Sequence, residues 1–396
     1  MSVVIMVKCI APTVDIRLNR TYSRWIKLFG KFFSSKAETA LSSDEIKQLI
    51  ADSLAEYRSD IFPDGILSLC TDVNISLAGK GKKITVALTV PFPCTFELSQ
   101  VADNLSEALQ TKVIFDVQLQ VRPVRSHEIA NVGNIIAVAS GKGGVGKSTT
   151  TVNLAYALMA EGAKVGILDA DIYGPSIPTM LGLKNEKPTS KDGKLMTPLN
   201  AQGLEAMSIG FLVPDEEATV WRGPMASSAF SQLLNETDWS DLDYLLIDMP
   251  PGTGDIQLTL AQKVPVAAAV VVTTPQDIAL ADAAKGIVMF DKVQVPVLGV
   301  VENMSYHLCE HCGEKSHLFG QGGGGDIATS YRTRLLGQLP LDIAIRQDAD
   351  LGKSEIIENS AGEIALLYRK IARNMAAQLF YQLDSRSPNT AEIVTL

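Results

Sequence analysis

The sequence feature that most constrains the fold is a glycine-rich loop directly after a short apolar run. Residues 135–139 are apolar, and residues 141–149 read GKGGVGKST, which fits the pattern G-x-x-x-x-G-K-[ST]. A helical pattern follows and ends at Gly162. Backbone N–H groups of such a loop turn inward around phosphates, and the helix start adds partial positive charge. The predicted phosphate-binding residues are Gly141, Lys142, Gly143, Gly144, Val145, Gly146, Lys147, Ser148 and Thr149.

The two lysines of this loop have different expected roles. Lys147 is expected to reach the β- and γ-phosphates of ATP, and Ser148 to ligate Mg²⁺. Lys142 is a second lysine that an ordinary phosphate loop does not need. We interpret it as a cation near the γ-phosphate, either of its own site or of a facing subunit. The alternative is a solvated surface lysine.

Beyond residue 134, short β-branched runs alternate with helical patterns. The predicted buried strands are residues 135–139, 165–168, 244–247, 268–272 and 297–301. This alternation is typical of a mainly parallel sheet covered by helices, so the fold class is α/β, a P-loop NTPase with a small α+β domain before it. Ligands of such sheets lie beyond the carboxyl ends of the strands, where we therefore expect the chemistry.

Carboxylates follow two of these predicted strands. Asp169 and Asp171 come directly after residues 165–168, and Asp248 follows residues 244–247. Phosphoryl transfer depends mainly on positioning and charge. We expect Asp248 to hold Mg²⁺ through water, Asp171 to orient the hydrolytic water, and Asp169 to support either role. The predicted catalytic residues are Lys142, Lys147 and Asp171. An isolated aspartate after an apolar run can also simply end a strand.

Cys309 and Cys312 are the one C-x-x-C pair among five cysteines. Two thiolates can share a metal but do not complete its ligand shell, since structural zinc takes four ligands and iron–sulfur clusters generally take four cysteines. A nearby His307, His311 or His317 would complete an intramolecular zinc site. A second subunit on a twofold axis would instead supply two more thiolates for one bridging cluster. A redox pair and an inert pair are the remaining alternatives.

The region before the phosphate loop has a different character. Ser42 and Glu45 form a capping-box pattern, and helical and strand patterns follow. The predicted divisions are a basic, poorly ordered extension (1–40), a small α+β domain (41–121), a linker (122–134), the ATPase domain with the cysteine pair (135–383) and a tail (384–396). For the extension, a membrane-surface helix, a transit peptide and a mistaken upstream start are alternatives.

Charge and hydropathy argue against several partners. Lys and Arg total 35 against 44 Asp and Glu, a net charge of −9, so nucleic acid and an acidic membrane meet net repulsion. The most apolar run, residues 264–272, is far shorter than the roughly 20 residues that span a bilayer. The cysteines form no disulfide framework and no signal-peptide pattern is present, which favours the cytoplasm.

Several ordered motifs resemble one known family. They are GKGGVGKST at 141–149, DADIYGPS at 169–176, WRGPM at 221–225, DMPPGTGD at 248–255, TPQD at 274–277 and ENMS at 302–305, with Cys309 and Cys312. Over residues 134–383 the chain resembles the Mrp/ApbC iron–sulfur cluster carrier ATPases. Residues 41–121 are similar to the small metal–sulfur biosynthesis domain that often precedes this ATPase.

The resemblance implies a homodimer that hydrolyses ATP and passes a 4Fe–4S cluster, held by both cysteine pairs, to apo recipient proteins, with cluster assembly scaffolds as further partners. It also implies that Lys142 is the signature lysine of deviant Walker-A ATPases, which crosses a dimer interface, and that Asn303 and residues 338–340 lie near the adenine. The alternative function is a deviant Walker-A positioning or partitioning ATPase with a structural zinc at the cysteine pair.

Overall fold

The computed structural model describes residues 42–78, 83–190, 193–212, 223–309 and 311–386. The extension predicted at 1–40, residues 387–396 of the predicted tail, and Trp221 and Arg222 of the WRGPM motif lie outside the described residues.

The first unit is a three-stranded sheet with two helices. Its elements are α1 (Ser43–Glu56), β1 (Thr71–Ala78), β2 (Lys83–Val90), α2 (Thr95–Leu109) and β3 (Lys112–Leu119). β1 runs antiparallel to β2, and β3 runs parallel to β2. The predicted capping box is present: the Ser42 hydroxyl accepts from the Glu45 N–H, and the Glu45 carboxylate accepts from the Ser42 N–H. Both helices bury apolar side chains, among them Leu49, Leu54, Leu98 and Val101.

The second unit is a mainly parallel sheet covered by helices, as the sequence predicts. Its strands are β4 (Val132–Ala139), β5 (Val165–Asp169), β6 (Leu199–Ala201), β7 (Leu204–Ser208), β8 (Leu242–Asp248), β9 (Ala268–Thr273), β10 (Val297–Leu308), β11 (Lys315–Ser316) and β12 (Leu335–Pro340). Its helices are α3 (Lys147–Ala160), α4 (Ile177–Met180), α5 (Gly223–Asn235), α6 (Asp255–Lys263), α7 (Asp277–Lys292), α8 (Gly323–Ser330), α9 (Ile343–Leu351), α10 (Glu355–Glu358) and α11 (Glu363–Arg386).

Strand order places the functional strands side by side. β4 lies between β8 and β9, and β5 lies on the other side of β8. All three of these neighbouring pairs are parallel, so the carboxyl ends of β4, β5 and β8 meet at one edge of the sheet. β12 pairs with β10 at the sheet margin, and β11 pairs only with the far end of β10.

Strands β5, β8 and β9 keep their predicted bounds to within two residues at either end, whereas β4 and β10 differ by more. β4 begins at Val132, inside the segment predicted as a linker, because Val132 already pairs with Leu242 of β8. β10 continues to Leu308, well beyond the predicted residues 297–301. This extension still pairs with β12 as far as Tyr306, and the cysteine pair follows its end.

A buried ionic cluster joins the two units. Glu161 caps the C-terminus of α3, and one of its oxygens lies 2.8 Å from both the Arg369 and the Arg373 guanidinium of α11. Its other oxygen accepts from the Phe96 N–H of α2 at 2.9 Å. Both guanidiniums also lie over the Phe96 ring. The small domain therefore rests on the end of the helix that follows the phosphate loop.

Helix α11 is a core element. Tyr368, Ile371, Met375 and Leu379 are all buried, as expected for the apolar stripe that the sequence carries there. Among the described residues, no helix combines the length and apolar character needed to cross a bilayer.

Candidate functional site

The phosphate loop lies between the central strand β4 and helix α3. Lys147, Ser148 and Thr149 form the first turn of α3, so the backbone N–H groups of this turn have no partner within the helix. Gly146 precedes them with φ +82°, a left-handed conformation that glycine adopts without strain. A Cβ at Gly146 would overlap the side-chain amide of Asn303. An alanine at position 146 would carry the strain of the left-handed backbone and would displace the Asn303 amide.

Lys147 and Ser148 both contact Asp248 at the end of β8. The Lys147 ammonium lies 2.6 Å from Oδ1 of Asp248, and the Ser148 hydroxyl donates to Oδ2 at 2.5 Å. Thr151, one turn further along α3, also donates to Oδ1 at 2.8 Å. Lys147 and Ser148, predicted to bind phosphate and Mg²⁺, are thus in direct contact with Asp248. The Ser148 hydroxyl oxygen and the Asp248 carboxylate oxygen lie close together, and both are ligands that suit Mg²⁺.

Asp169 lies directly opposite Asp248 in the register of β5 and β8. It is fully buried and accepts hydrogen bonds from the Asp171 N–H at 3.0 Å and the Ser208 hydroxyl at 3.1 Å. Burial, with a further contribution from the Asp248 charge, raises the pKa of Asp169 to about 8. Burial, with the neighbouring carboxylate, therefore favours a proton on Asp169 at neutral pH.

Asp171 lies just past the end of β5 and is only partly buried. Burial raises the pKa of its carboxyl, and the nearby Lys147 charge acts in the opposite direction. The structure thus brings Asp171, Asp169, Asp248 and Lys147 into one electrostatic unit, as the spacing of the two predicted strands indicates.

Lys142 differs from Lys147 because its side chain is exposed and, among the described residues, forms no ion pair. Its backbone carbonyl accepts from the Ser140 hydroxyl at 2.9 Å, and the Ser140 carbonyl accepts from the Gly252 N–H at 3.0 Å. These bonds tie the phosphate loop to the 249–255 loop after β8. The Lys142 ammonium itself stays available for a group outside this chain's described residues.

The side chain of Asn303, a residue of β10, lies against the phosphate loop. Its side-chain amide donates to the Val145 carbonyl at 2.9 Å, and both residues are buried. Gln338, in the second segment expected near the adenine, donates to the buried Glu302 carboxylate at 2.7 Å. Glu302 also accepts from the Gly324 N–H and the Ser305 hydroxyl.

Cys309 and Cys312 lie in the turn of a hairpin formed by the end of β10 and β11. His307 pairs with Ser316 and Leu308 with Lys315, so Cys309 and residues 311–314 belong to the turn. Cys309 is partly buried and Cys312 is exposed. The Gly313 N–H donates to the Cys309 carbonyl at 2.8 Å, which closes the turn around the pair. Both thiols therefore lie in the turn that follows β10, at the carboxyl edge of the sheet.

Two of the neighbouring histidines, His307 and His317, contact backbone carbonyls. Nδ1 of His307 lies 3.2 Å from the Leu341 carbonyl, and Nδ1 of His317 lies 2.9 Å from the Ser305 carbonyl. Among the described residues, no three His, Cys, Asp or Glu side chains come together as a metal site. An intramolecular zinc site that uses one of these histidines is not assembled in this part of the chain.

Three polar contacts of the site were not anticipated from the sequence. Thr151 supports Asp248, Ser208 supports Asp169, and Glu302 holds the start of α8 through Gly324. Thr151 lies one helical turn after Lys147, a spacing that could have revealed it. Ser208 and Gly324 are distant in sequence, and no local pattern marks them.

A central parallel strand, a Walker-A loop at the start of a helix and an aspartate on the adjacent strand define a P-loop NTPase. Residues 131–376 match the ParA family model for NUBPL iron-transfer P-loop NTPases. The chain belongs to this family.

Two curated proteins and one solved structure are similar to this chain over more than half of its length. The chain is similar to an iron–sulfur cluster carrier protein of Escherichia coli (strain K12), 51% identical over 354 residues, 87% of this chain and 95% of the relative. It is similar to an iron–sulfur cluster carrier protein of Pseudomonas fragi, 59% identical over 72% of this chain and all of the relative. A nucleotide-binding protein of Archaeoglobus fulgidus, solved with ADP, is 40% identical with a TM-score of 0.53, over 59% of this chain and 91% of that one.

Proposed function

We propose that this chain is an ATP-hydrolysing iron–sulfur cluster carrier, which binds a labile 4Fe–4S cluster between two copies of itself and passes it to apo recipient proteins. The observation that carries the proposal is the position of Cys309 and Cys312, two thiols in a hairpin turn at the sheet edge that also holds the phosphate loop. The cluster carrier names of the E. coli and P. fragi relatives support the same cargo.

The ligand count supports a shared cluster. One chain contributes two thiols here, and no further His, Cys, Asp or Glu among the described residues joins them. A cluster that takes four cysteines therefore needs a second copy, most simply across a twofold axis. One such copy supplies Cys309 and Cys312 again and completes the set.

Exposed side chains support a partner surface at this edge. Tyr173 is 59% exposed after β5, Ile278 69% exposed after β9, and Leu318 60% exposed after β11. Exposed large apolar side chains can contribute to interaction surfaces. The exposed Lys142 lies at the same edge, where it can reach the γ-phosphate bound to the facing copy. We propose this edge as the homodimer interface.

The residues of the phosphate site have distinct roles in hydrolysis. The loop N–H groups and Lys147 bind and orient the phosphates, and Asp171 positions the attacking water. Ser148 and Asp248 would hold Mg²⁺, which neutralises phosphate charge when bound. Lys142 from the facing copy adds positive charge, so hydrolysis depends on the dimer. Contact between the copies then changes with the nucleotide and alters the spacing of the two cysteine hairpins.

Transfer requires a cluster that another protein can reach. Cys312 is exposed and Cys309 is partly exposed, so an incoming apo protein or an assembly scaffold can approach this turn. The reducing cytoplasm is the proposed compartment, since it keeps these thiols available.

The decisive experiment counts iron and sulfide after anaerobic purification. We expect four iron and four sulfide per dimer, which disappear in Cys309→Ser and in Cys312→Ser. Cys70→Ser is the matched control, because Cys70 lies in the small domain, and it should retain the cluster. The loaded protein should then activate an apo 4Fe–4S enzyme. Stoichiometric zinc that depends on Cys309 and Cys312 would instead support the positioning ATPase with a structural metal.

A further inference from the structure

Strand β10 joins the phosphate loop to the cysteine hairpin within one chain. The Asn303 side chain donates to the Val145 carbonyl at 2.9 Å. The position of a Cβ on Gly146 would lie 3.8 Å from the terminal methyl of Met304. Two consecutive side chains of β10 therefore lie against the phosphate loop. Cys309 follows on the same run of chain.

Met304 has a left-handed backbone in the interior of β10. Its φ is +54°, which non-glycine residues rarely adopt. The pairing of β10 with β12 shifts register between Glu302 and Tyr306, on either side of Met304. Successive side chains of a regular strand point to opposite faces. The left-handed residue breaks this alternation and allows both Asn303 and Met304 to reach the phosphate loop.

The chain beyond Met304 is braced as one piece. Nδ1 of His317 lies 2.9 Å from the Ser305 carbonyl, across the base of the hairpin. The Lys315 ammonium lies 4.4 Å from the centre of the Tyr306 ring, which connects the two arms of the hairpin. Tyr306 also pairs with Pro340, and His307 contacts the Leu341 carbonyl, so the end of β12 is attached to this piece. A change of backbone angle at Met304 would therefore move the cysteine turn together with the end of β12.

We propose that Asn303 and Met304 form a joint through which a nucleotide at the phosphate loop repositions the cysteine hairpin of the same chain. Strained backbone at a connection between two sites is a device for switching between two conformations. The proposal rests on the proposed function for its purpose, since movement of the hairpin would alter the cluster's ligands. The coupling itself requires neither a cluster nor a facing copy.

The test is hydrogen–deuterium exchange of the full chain carrying Cys309→Ser and Cys312→Ser, with and without saturating Mg–ADP. The peptides of interest cover residues 141–150 and 305–317. Met304→Gly removes the left-handed strain and the side-chain contact with the loop. Met304→Leu is its matched control, because leucine keeps an apolar side chain and the same backbone demand. Asn303→Ala is a second variant, compared at an ADP concentration that saturates it.

In the parent protein, Mg–ADP should change exchange in both segments. In Met304→Gly and Asn303→Ala, residues 141–150 should still respond, while the response of residues 305–317 falls below half of the parent value; Met304→Leu should respond fully. The proposal is overturned if residues 305–317 of the parent ignore ADP, or if both variants keep the full response. Should Asn303→Ala lose ADP binding, Met304→Gly decides alone.

The background without Cys309 and Cys312 separates this result from the carrier function. A failure of coupling leaves the iron and sulfide count of the wild-type protein untouched. Conversely, a wild-type protein without iron and sulfide would refute the carrier function and leave the exchange result standing.

Discussion

Lys147 and Asp248 form a buried ion pair, with the ammonium 2.6 Å from Oδ1 and both side chains almost removed from solvent. The pair connects the phosphate loop to the carboxyl end of β8. Phosphate oxygens that approach Lys147 therefore compete with the Asp248 carboxylate. Lys147 therefore contributes both to stability and to nucleotide binding. Substitutions of Lys147 and of Lys142 can be compared to separate the two effects.

Lys147→Met should destabilise the protein by about 3–5 kcal/mol, because it leaves the Asp248 charge buried without its cation. Lys142→Met should change the free energy of unfolding by less than about 0.5 kcal/mol, since that side chain is exposed. Both variants should lose ATP hydrolysis. Urea unfolding and phosphate release measure the two effects. Equal destabilisation by the two substitutions would contradict this assignment.

Asp169 should make stability depend on pH. Its pKa rises from an ordinary 3.8 to about 8 in the folded chain, so the folded state binds the proton more tightly than the unfolded state. This contribution is complete below pH 3.8 and is lost as pH rises towards 8.

In urea unfolding without nucleotide, wild-type stability should fall over that range more steeply than the stability of Asp169→Asn. The exposed Asp241→Asn should follow the wild type. If Asp169→Asn kept the wild-type slope, Asp169 would not be the titrating group.

The Glu161 cluster should hold the small domain to the ATPase domain. Glu161→Gln leaves two buried guanidiniums without their shared anion and should cost about 3–5 kcal/mol. Lys164→Met, which breaks an exposed pair with Asp241, is the control and should leave thermal stability near the wild-type value. Calorimetry measures both. A small effect at Glu161 would show that other contacts, such as the hydrogen bond from the Tyr381 hydroxyl to the Ile61 carbonyl, hold the domains together.

Two glycines of the phosphate loop allow a matched comparison. Gly144 and Gly146 share φ +82°, so an alanine at either carries the same left-handed penalty of about 1–2 kcal/mol. Only at position 146 would the new methyl group overlap Asn303; at position 144 the space is open. Gly146→Ala should therefore weaken ADP binding at least about tenfold more than Gly144→Ala in calorimetric titration, a difference of about 1.4 kcal/mol. Equal losses of ADP affinity in the two variants would show that the contact with Asn303 does not affect nucleotide binding.

The sequence predicts the parts of this protein whose signals are local. The Walker-A loop lies within one strand–loop–helix unit, and Asp169 and Asp248 each follow an apolar run directly. Their meeting in space follows from the parallel sheet alone, because neighbouring parallel strands end at the same edge.

Contacts between distant segments could not be predicted in this way. Arg369 and Arg373 carry no signal of burial, since arginine usually lies on the surface, yet both pair with Glu161 far away in the sequence. The left-handed Met304 and the long reach of β10 were also unexpected, because a methionine in a strand pattern gives no sign of a positive φ. The Glu161 cluster joins the two domains, and the Met304 segment of β10 joins the phosphate loop to the cysteine hairpin.

The central claim is that one chain holds half of a cluster's ligands. Native mass spectrometry of the anaerobically purified protein tests it most directly, because it reports subunit number and bound cluster together. The account predicts a dimer that carries one 4Fe–4S cluster and that loses the whole cluster when Cys309 and Cys312 are replaced by serine. A monomer that retains a complete metal complement through those cysteines would contradict it.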